Sequence, residues 1–189
     1  MEKKTFLDKY FSNIKSLISF NDDTLNKIIE VSKILKETHT KGKKTIIFGN
    51  GGSSAIASHF SVDLTKNARV RCISLNEYDL ITCFANDYGY EKWVEKALEF
   101  YADPGDNIIL ISSGGNSPNM VNAAKFAKSI KINKIITFTG NNQNNKLNNL
   151  GEINFWINSK SYNQIENVHQ IILLSIVDLI IGKSEYPPN

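Results

Sequence analysis

The first stretch whose residues could bind a ligand is a glycine-rich loop that follows a short apolar run. Residues 46–48 are Ile-Ile-Phe, residues 49–54 are Gly-Asn-Gly-Gly-Ser-Ser, and a helical pattern follows. Glycines allow the backbone to approach a bound group closely, and the N-terminus of the following helix adds partial positive charge. Such a strand, loop and helix can form a phosphate site, although an ordinary turn that binds nothing has the same pattern.

A second loop of the same kind makes the phosphate interpretation stronger. The apolar run 108–111 leads into Ser-Ser-Gly-Gly-Asn-Ser-Pro-Asn at 112–119, where Ser117 can act as N-cap and Pro118 suits the first helical position. Serine hydroxyls and backbone N–H groups both donate hydrogen bonds to phosphate oxygens. Two such loops in one parallel sheet can converge at the carboxyl ends of the strands, where open α/β folds bind ligands.

An imidazole and a carboxylate stand four residues apart in the helix that follows the first loop. Because residues four apart share a helix face, His59 and Asp63 can form an acid/base pair or half of a metal site. The alternative is a hydrogen bond on the helix surface without chemistry. The position after a glycine-rich loop favours a role in a site.

The elements that would position these residues alternate between strand and helix. Apolar periodicity predicts two amphipathic helices before the first strand, the second capped by Asn21, Asp22 or Asp23. Strands are predicted at 43–48, 68–75, 107–112, 133–138 and 152–158, and helices at 54–66, 77–85, 90–102, 117–130 and 161–183. The stretch 141–149 is predicted to be a loop with a brief helix. This order predicts a parallel, three-layer α/β/α architecture.

Bulk composition limits the possible classes of function. The chain has 189 residues, 41% hydrophobic and 22% charged, with a net charge of +3, which indicates a soluble domain without a nucleic-acid surface. Cys72 and Cys83 lack the spacing of a metal or redox pair, so a reduced intracellular protein is expected. The N-terminus lacks the apolar run of a secretory signal, and the apolar stretch 171–181 is too short to span a membrane. We therefore expect a cytoplasmic protein that binds neither nucleic acid nor membrane.

The motifs at 49–53 and 112–119, with His59 and an acid between them, resemble the SIS (sugar isomerase) domain. Residues 86–91 and 164–169 are most similar to those of phosphoheptose isomerases, and the resemblance covers nearly the whole chain. It implies a single SIS domain over 1–189, with the SIS, flavodoxin-like fold and a five-stranded parallel sheet. An N-terminal helical hairpin would occupy 1–40, and the α/β core with its C-terminal helix would occupy 41–189.

The resemblance also implies an activity. Phosphoheptose isomerases convert sedoheptulose 7-phosphate to glycero-manno-heptose 7-phosphate by proton transfer through an enediol, which supplies heptose for lipopolysaccharide or capsule. They use no organic cofactor and form homotetramers, whose neighbouring subunits complete each active site. The alternative is a non-catalytic SIS module that binds a phosphosugar and acts as a sensor or scaffold, for example a replication-initiator-binding protein.

Two positions depart from the catalytic pattern of the family. The resemblance matches His59 to the family histidine, and Asp63 stands where the family has the catalytic glutamate. In the C-terminal helix, Glu166 replaces a glutamine and Leu174 replaces the histidine that acts as partner acid/base. Because leucine cannot transfer a proton, the expected catalytic residues are His59, Asp63 and Glu166. His169 is expected to be a structural histidine.

The resemblance also assigns the groups that bind substrate and metal. Some family members bind zinc at the four positions that correspond to 59, 63, 166 and 174. His59, Asp63 and Glu166 are therefore a possible set of ligands for one zinc per subunit. The serines expected to contact the phosphate are Ser53, Ser112, Ser113 and Ser117. Gly114 replaces one further serine of the family. Asn50 and Asp87 are expected to line the sugar pocket. The full substrate-binding set is Asn50, Gly51, Gly52, Ser53, Asp87, Ser112, Ser113, Gly114 and Ser117.

Overall fold

The computed structural model describes residues 2–186 and contains a parallel sheet of five strands in the order β2-β1-β3-β4-β5. The strands are β1 (Thr45–Gly49), β2 (Cys72–Ser74), β3 (Asn107–Ser112), β4 (Lys134–Gly140) and β5 (Ile153–Ile157). All four neighbouring pairs are parallel. This is the flavodoxin-like order, so the predicted fold class is confirmed.

Helices cover both faces of the sheet. They are α1 (Lys3–Leu17), α2 (Asp22–Thr40), α3 (Gly52–Lys66), α4 (Tyr78–Tyr88), α5 (Trp93–Tyr101), α6 (Pro118–Ser129) and α7 (Tyr162–Ile181). Side chains of β1 alternate between the faces: Ile47 packs in the core formed with α2, α3 and α7, whereas Ile46 and Phe48 pack in the core formed with α5 and α6. Burial on both faces explains why β1 and β3 are uninterrupted apolar runs.

Helix α7 lies in the centre of one helical layer, in contact with both α2 and α3. By length and composition it could cross a membrane. In the fold, however, the apolar side chains of Ile172, Leu173, Ile176 and Val177 belong to the buried core. The helix ends at Gly182, which adopts a left-handed conformation at φ 84° as the C-cap residue.

The two N-terminal helices are packed unevenly. Helix α2 begins after Asn21, whose side chain accepts a hydrogen bond from the Thr24 N–H, so one of the three predicted caps is confirmed. It buries Val31 and Leu35 in the core. Helix α1, by contrast, fully buries none of the residues Lys3–Leu17, and its side chains Phe6, Leu7 and Phe11 remain exposed.

Two predicted elements differ from the structure. Strand β2 is limited to Cys72–Ser74, because Arg69 takes a positive φ of 58° that interrupts extended backbone. The brief helix expected within 141–149 is wrong, since the described backbone there forms only turns. The side chains of Asn142 and Asn145 accept hydrogen bonds from the N–H groups of Asn144 and Asn148, and such local bonds compete with a helix.

Candidate active site

The two glycine- and serine-rich loops meet at the carboxyl ends of neighbouring strands. Gly49 of β1 is in register with Ile111 of β3, so the loops that follow these residues lie side by side. Between them is a cavity of about 400 Å³, the phosphate-loop pocket. It is lined by Asn50, Ser53, Ile111, Ser112, Ser113, Gly114, Asn116, Ser117, Asn141, Tyr162 and Glu166.

Serine hydroxyls are concentrated in the phosphate-loop pocket. The Oγ atoms of Ser112 and Ser117 lie 3.0 Å apart. Ser117 is the N-cap residue of α6, but its hydroxyl faces Ser112 instead of capping the helix, which corrects the capping prediction. The Oγ of Ser113 is buried and has no hydrogen-bond partner among residues 2–186. A phosphate oxygen would satisfy such a donor.

Asn50 connects the first loop to the start of α6 through a reciprocal pair of amides. Its Nδ2 donates to Asn119 Oδ1 at 3.0 Å, and Asn119 Nδ2 donates to Asn50 Oδ1 at 2.9 Å. The hydroxyl of Tyr90 also donates to Asn50 Oδ1 at 3.1 Å. Asn119 and Tyr90 are support residues that sequence reasoning missed, because neither stands at a helical or strand spacing from Asn50.

The asparagine-rich stretch after β4 supports the second loop from behind. Gly115 has a φ of 69°, and a Cβ atom there would overlap the buried side chain of Asn145. Leu147 N–H donates to Gly115 O at 2.9 Å, and Lys146 N–H donates to Asn116 Oδ1 at 3.1 Å. The stretch that the sequence presents as a polar loop therefore fixes the shape of the phosphate-loop pocket.

A second cavity of about 400 Å³, the α3–α7 groove, lies between these two helices. It is lined by Tyr10, Gly52, Ala55, Ile56, His59, Asn163, Glu166, Asn167 and Gln170. Glu166 lines both cavities. Its carboxylate fills the space where a side chain on Gly52 would lie, which places a negative charge at the junction between the two cavities.

The predicted pair of His59 and Asp63 is present. His59 Nε2 lies 3.2 Å from Asp63 Oδ2, and the imidazole is about half exposed in the groove. The other ring nitrogen, Nδ1, lies 3.1 Å from Nε2 of Gln170, a contact that sequence reasoning missed. Asp63 is not among the residues that line either of these two cavities, and its contact with them is through His59.

Three assignments made from the sequence have no matching arrangement within one chain: the zinc ligand set, and the placing of Asp87 and Gly51 in the substrate pocket. The possible zinc ligands His59, Asp63 and Glu166 do not form a cluster, and residues 2–186 contain no group of three His, Cys, Asp or Glu side chains that could hold a metal ion. Asp87 is exposed on α4, where it accepts from Asn86 Nδ2 at 2.9 Å, and it lines neither cavity as described. Gly51 shapes the turn before α3, with a φ of 54°.

The two remaining positions of interest on α7 are His169 and Leu174. His169 is buried, its Nε2 lies 3.0 Å from Thr139 O, and its ring stands edge-on to Phe138. Burial lowers its pKa to about 4, against a smaller opposite effect of the hydrogen bond to Thr139. The ring is therefore neutral at neutral pH, and it lines neither cavity, as expected for a structural histidine. Leu174 is half-buried.

A larger cavity lies elsewhere. It measures about 690 Å³ and lies between the α1–α2 turn and the edge strand β5. Its lining contains none of the residues that the sequence assigns to the site. The chemistry of the loops, and not cavity size, therefore identifies the candidate active site.

Comparison with known proteins identifies the family of the chain. The sequence profile of the SIS domain matches residues 9–140. The chain is 34% identical over 181 residues to a phosphoheptose isomerase of Fusobacterium nucleatum, covering 88% of this chain and 92% of the relative. A solved phosphoheptose isomerase from Francisella tularensis superposes with a TM-score of 0.85 at 25% identity, covering 97% of this chain and 100% of that one. One from Neisseria gonorrhoeae superposes with a TM-score of 0.86 at 20% identity, covering 95% and 98%.

Proposed function

Because the chain belongs to the SIS domain family and, within it, to the phosphoheptose isomerases, we propose that it isomerises sedoheptulose 7-phosphate to glycero-manno-heptose 7-phosphate. One observation carries the proposal: the serine-lined phosphate-loop pocket opens beside a carboxylate, Glu166, that also lines the α3–α7 groove. A phosphosugar needs donors for its phosphate and a base near the carbons that exchange a proton.

The phosphate end of the substrate belongs in the phosphate-loop pocket. The hydroxyls of Ser53, Ser112, Ser113 and Ser117 are its donors, and the N-terminus of α3 adds partial positive charge. Gly114 contributes its backbone N–H, and Asn50 sets the position of the first loop. The sugar chain then extends past Glu166 into the α3–α7 groove.

Isomerisation moves one proton between neighbouring carbons and one between neighbouring oxygens. In our proposal the Glu166 carboxylate removes a proton from C1 of the ketose, while the C2 carbonyl oxygen receives a proton to give the enediol. Return of the carbon-bound proton to C2, with loss of the C1 hydroxyl proton, gives the aldose. His59, supported by Asp63, handles the oxygen-bound protons, because an imidazole both accepts and donates near neutral pH.

We further propose that the active protein is a cytoplasmic homotetramer with sites at subunit boundaries, which supplies heptose for lipopolysaccharide or capsule. The exposed apolar side chains Phe6, Leu7 and Phe11 on α1 support contact with a neighbouring subunit. The position of Asp87 outside both cavities of its own chain is consistent with a site that a neighbouring subunit completes.

One observation favours the second candidate, a phosphosugar-binding module without catalysis. Leu174 stands where related isomerases are expected to carry the partner acid/base, and leucine has no proton to transfer. In that case the phosphate-loop pocket would bind a phosphosugar that remains unchanged.

The test is to incubate the purified protein with sedoheptulose 7-phosphate and to follow the aldose product by NMR, with and without added zinc. Formation of the aldose by the wild type, and its loss in Glu166→Gln, would support the isomerase. Binding of the ketose in calorimetry without any product under either condition would favour the non-catalytic module.

A further inference from the structure

The imidazole of His59 is held on both ring nitrogens, and its two partners come from different helices. Nε2 lies 3.2 Å from Asp63 Oδ2 on α3, and Nδ1 lies 3.1 Å from Gln170 Nε2 on α7. The ring therefore bridges the junction between α3 and α7. The carboxylate partner was expected from the spacing of four residues, whereas the amide partner is 111 residues away in sequence.

The chemistry of the two partners assigns the protons of a neutral ring. A carboxylate only accepts, so the ring nitrogen that faces Asp63 carries the hydrogen. The lone pair of the neutral ring is then on Nδ1, where it needs a donor, and the amide nitrogen of Gln170 supplies one. We propose that Gln170 is a positioning residue that holds His59 in the Nε2–H tautomer and in a single ring orientation.

Glutamine suits this position because its side chain can both donate and accept. If the ring gains a proton on Nδ1 during turnover, the amide can rotate and present its oxygen to the new N–H without displacing the ring. Leucine would offer no contact, and glutamate would offer only an acceptor. The other titratable side chains that line the groove with His59 are Tyr10 and Glu166.

Gln170 is the residue through which α7 contacts the imidazole of His59. Gln170 stands one helical turn after Glu166 and one turn before Leu174. The half-buried Leu174 offers no polar group, so the contact that α7 gives to the His59–Asp63 pair comes from Gln170. The amide orients the imidazole but does not replace it as a proton carrier. Only the consequence for turnover rests on the proposed isomerase function.

The tautomer can be measured without any substrate, by ¹⁵N NMR of imidazole-labelled protein at about pH 8, where an ordinary histidine is neutral. The chain has three histidines, His39, His59 and His169, and a His59→Gln variant assigns the signal of interest. In the wild type we expect Nε2 of His59 to be protonated and Nδ1 to be unprotonated. His169 serves as an internal reference, because its Nε2 hydrogen-bonds Thr139 O.

The decisive variant is Gln170→Glu. Both partners of the ring would then be acceptors, so Nδ1 loses its donor and we expect the two ¹⁵N signals of His59 to move away from those of a ring fixed in the Nε2–H tautomer. The matched control, Asn122→Asp, adds the same charge on α6, where Asn122 donates to Glu91 O and lines neither cavity, and it should leave the His59 signal unchanged. An unchanged His59 signal in Gln170→Glu would overturn the proposal.

Turnover gives a second, independent measurement. In Gln170→Leu we expect kcat to fall roughly tenfold to 100-fold, with a smaller change in KM, because a misplaced proton carrier affects the chemical step most. Full kcat in this variant, with an active wild type, would contradict a role in positioning. If the wild type itself shows no isomerase activity, the proposed function fails, whereas the His59 signal in Gln170→Glu still decides whether Gln170 positions the ring.

Discussion

The carboxylate of Glu166 lies directly against Gly52, in the space that any larger residue would need for its Cβ atom. Gly52 is the first residue of α3, immediately after the first phosphate loop, and Glu166 is in the second turn of α7. The contact therefore places the proposed base where the phosphate-loop pocket meets the α3–α7 groove. A glycine that the sequence presents as part of a phosphate motif also determines the position of a carboxylate.

We predict that Gly52→Ala lowers kcat by displacing Glu166, without a loss of stability. The side chain of Glu166 is flexible and can move away, and alanine is favoured over glycine in a helix by up to about 1 kcal/mol. The measurements are kcat with sedoheptulose 7-phosphate and the melting temperature. Because Gly52→Ala and Glu166→Gln would remove the same catalytic group, the double variant should be hardly slower than the slower single variant. Fully additive losses would contradict this explanation.

Asp63→Asn should lower kcat on the order of 100-fold while changing substrate affinity little, because it removes the charge behind His59 and not a contact to the sugar. Steady-state kinetics on the purified variant measure both parameters. Asp23→Asn is the matched control: Asp23 is a carboxylate on α2 that accepts from Lys27 Nζ at 2.7 Å, four residues away, and lines neither of the two site cavities. Full activity in Asp63→Asn would place the supporting carboxylate elsewhere.

The phosphate-loop pocket predicts how serine variants affect affinity. Replacing Ser112 and Ser117 together by alanine should weaken sugar-phosphate binding by about 1–3 kcal/mol, the cost of unmade hydrogen bonds to a charged group. Isothermal titration calorimetry measures this loss. Ser129→Ala, at the far end of α6, where the hydroxyl donates to Phe126 O, should bind normally. Unchanged affinity in the double variant would exclude these hydroxyls as phosphate donors.

Ser113 allows binding to be separated from stability. Its buried hydroxyl lacks a hydrogen-bond partner within residues 2–186, so Ser113→Ala should not lower the free energy of unfolding in the absence of ligand. The same change should weaken binding of the sugar phosphate. Urea denaturation and calorimetry on the one variant test both parts, and a clear loss of stability without ligand would show that the hydroxyl is already satisfied.

Burial of His169 predicts a dependence of stability on pH. Its pKa is lowered from 6.5 to about 4 in the folded protein, so the unfolded chain binds a proton at a higher pH than the folded chain does. The contribution to stability is therefore complete above about pH 6.5 and is lost as the pH falls towards 4, by at most about 1.4 kcal/mol per pH unit. Urea denaturation between these pH values should show that the free energy of unfolding falls less with decreasing pH in His169→Gln than in the wild type. The glutamine side chain can still donate to Thr139 O. Equal slopes would contradict a neutral, buried ring.

The elements with continuous local patterns were predictable from the sequence, whereas contacts between distant residues were not. The strand and helix around the first loop follow from an apolar run, glycines and a helical period, all local signals. The amide pair of Asn50 and Asn119 joins residues 69 apart, and the contact of His59 with Gln170 joins residues 111 apart. No spacing rule brings such residues together; only the order of strands and the packing of α3 on α7 do so.

The structural roles of the asparagines were the hardest to predict from the sequence. The sequence predicts a polar loop with a brief helix after β4, yet Asn145 is buried beneath Gly115 and fixes the second phosphate loop. The same residue type favours turns, surface loops and buried amide networks, and only tertiary context decides among these roles. The departures at Asp63 and Leu174, by contrast, were visible at once because the family pattern assigns a residue type to each position.

The final prediction is a homo-oligomer, proposed to be a tetramer, that covers the exposed apolar faces of α1 and α7. Phe6 and Phe11 on α1 are 54% and 62% exposed, and Ile171 and Leu179 on α7 are 41% and 46% exposed. Large exposed apolar side chains on neighbouring helices are unfavourable in a monomer and typical of a subunit interface. Closed dihedral symmetry is the ordinary way for four copies to bury such a face.

Sedimentation equilibrium at micromolar concentration tests the oligomer directly. We expect a mass that is a multiple of the 21.2 kDa chain, four in our proposal, and a shift towards the single chain in Phe11→Asp, because the interface would then have to bury an unpaired charge. Phe100→Asp is the control, since Phe100 is 61% exposed on α5, on the opposite face of the sheet. If the variant that dissociates also loses activity while its far-UV circular dichroism is unchanged, the active site requires the neighbouring subunit. A wild type that stays at the monomer mass would refute the tetramer and, with it, the proposal that neighbouring subunits complete each active site.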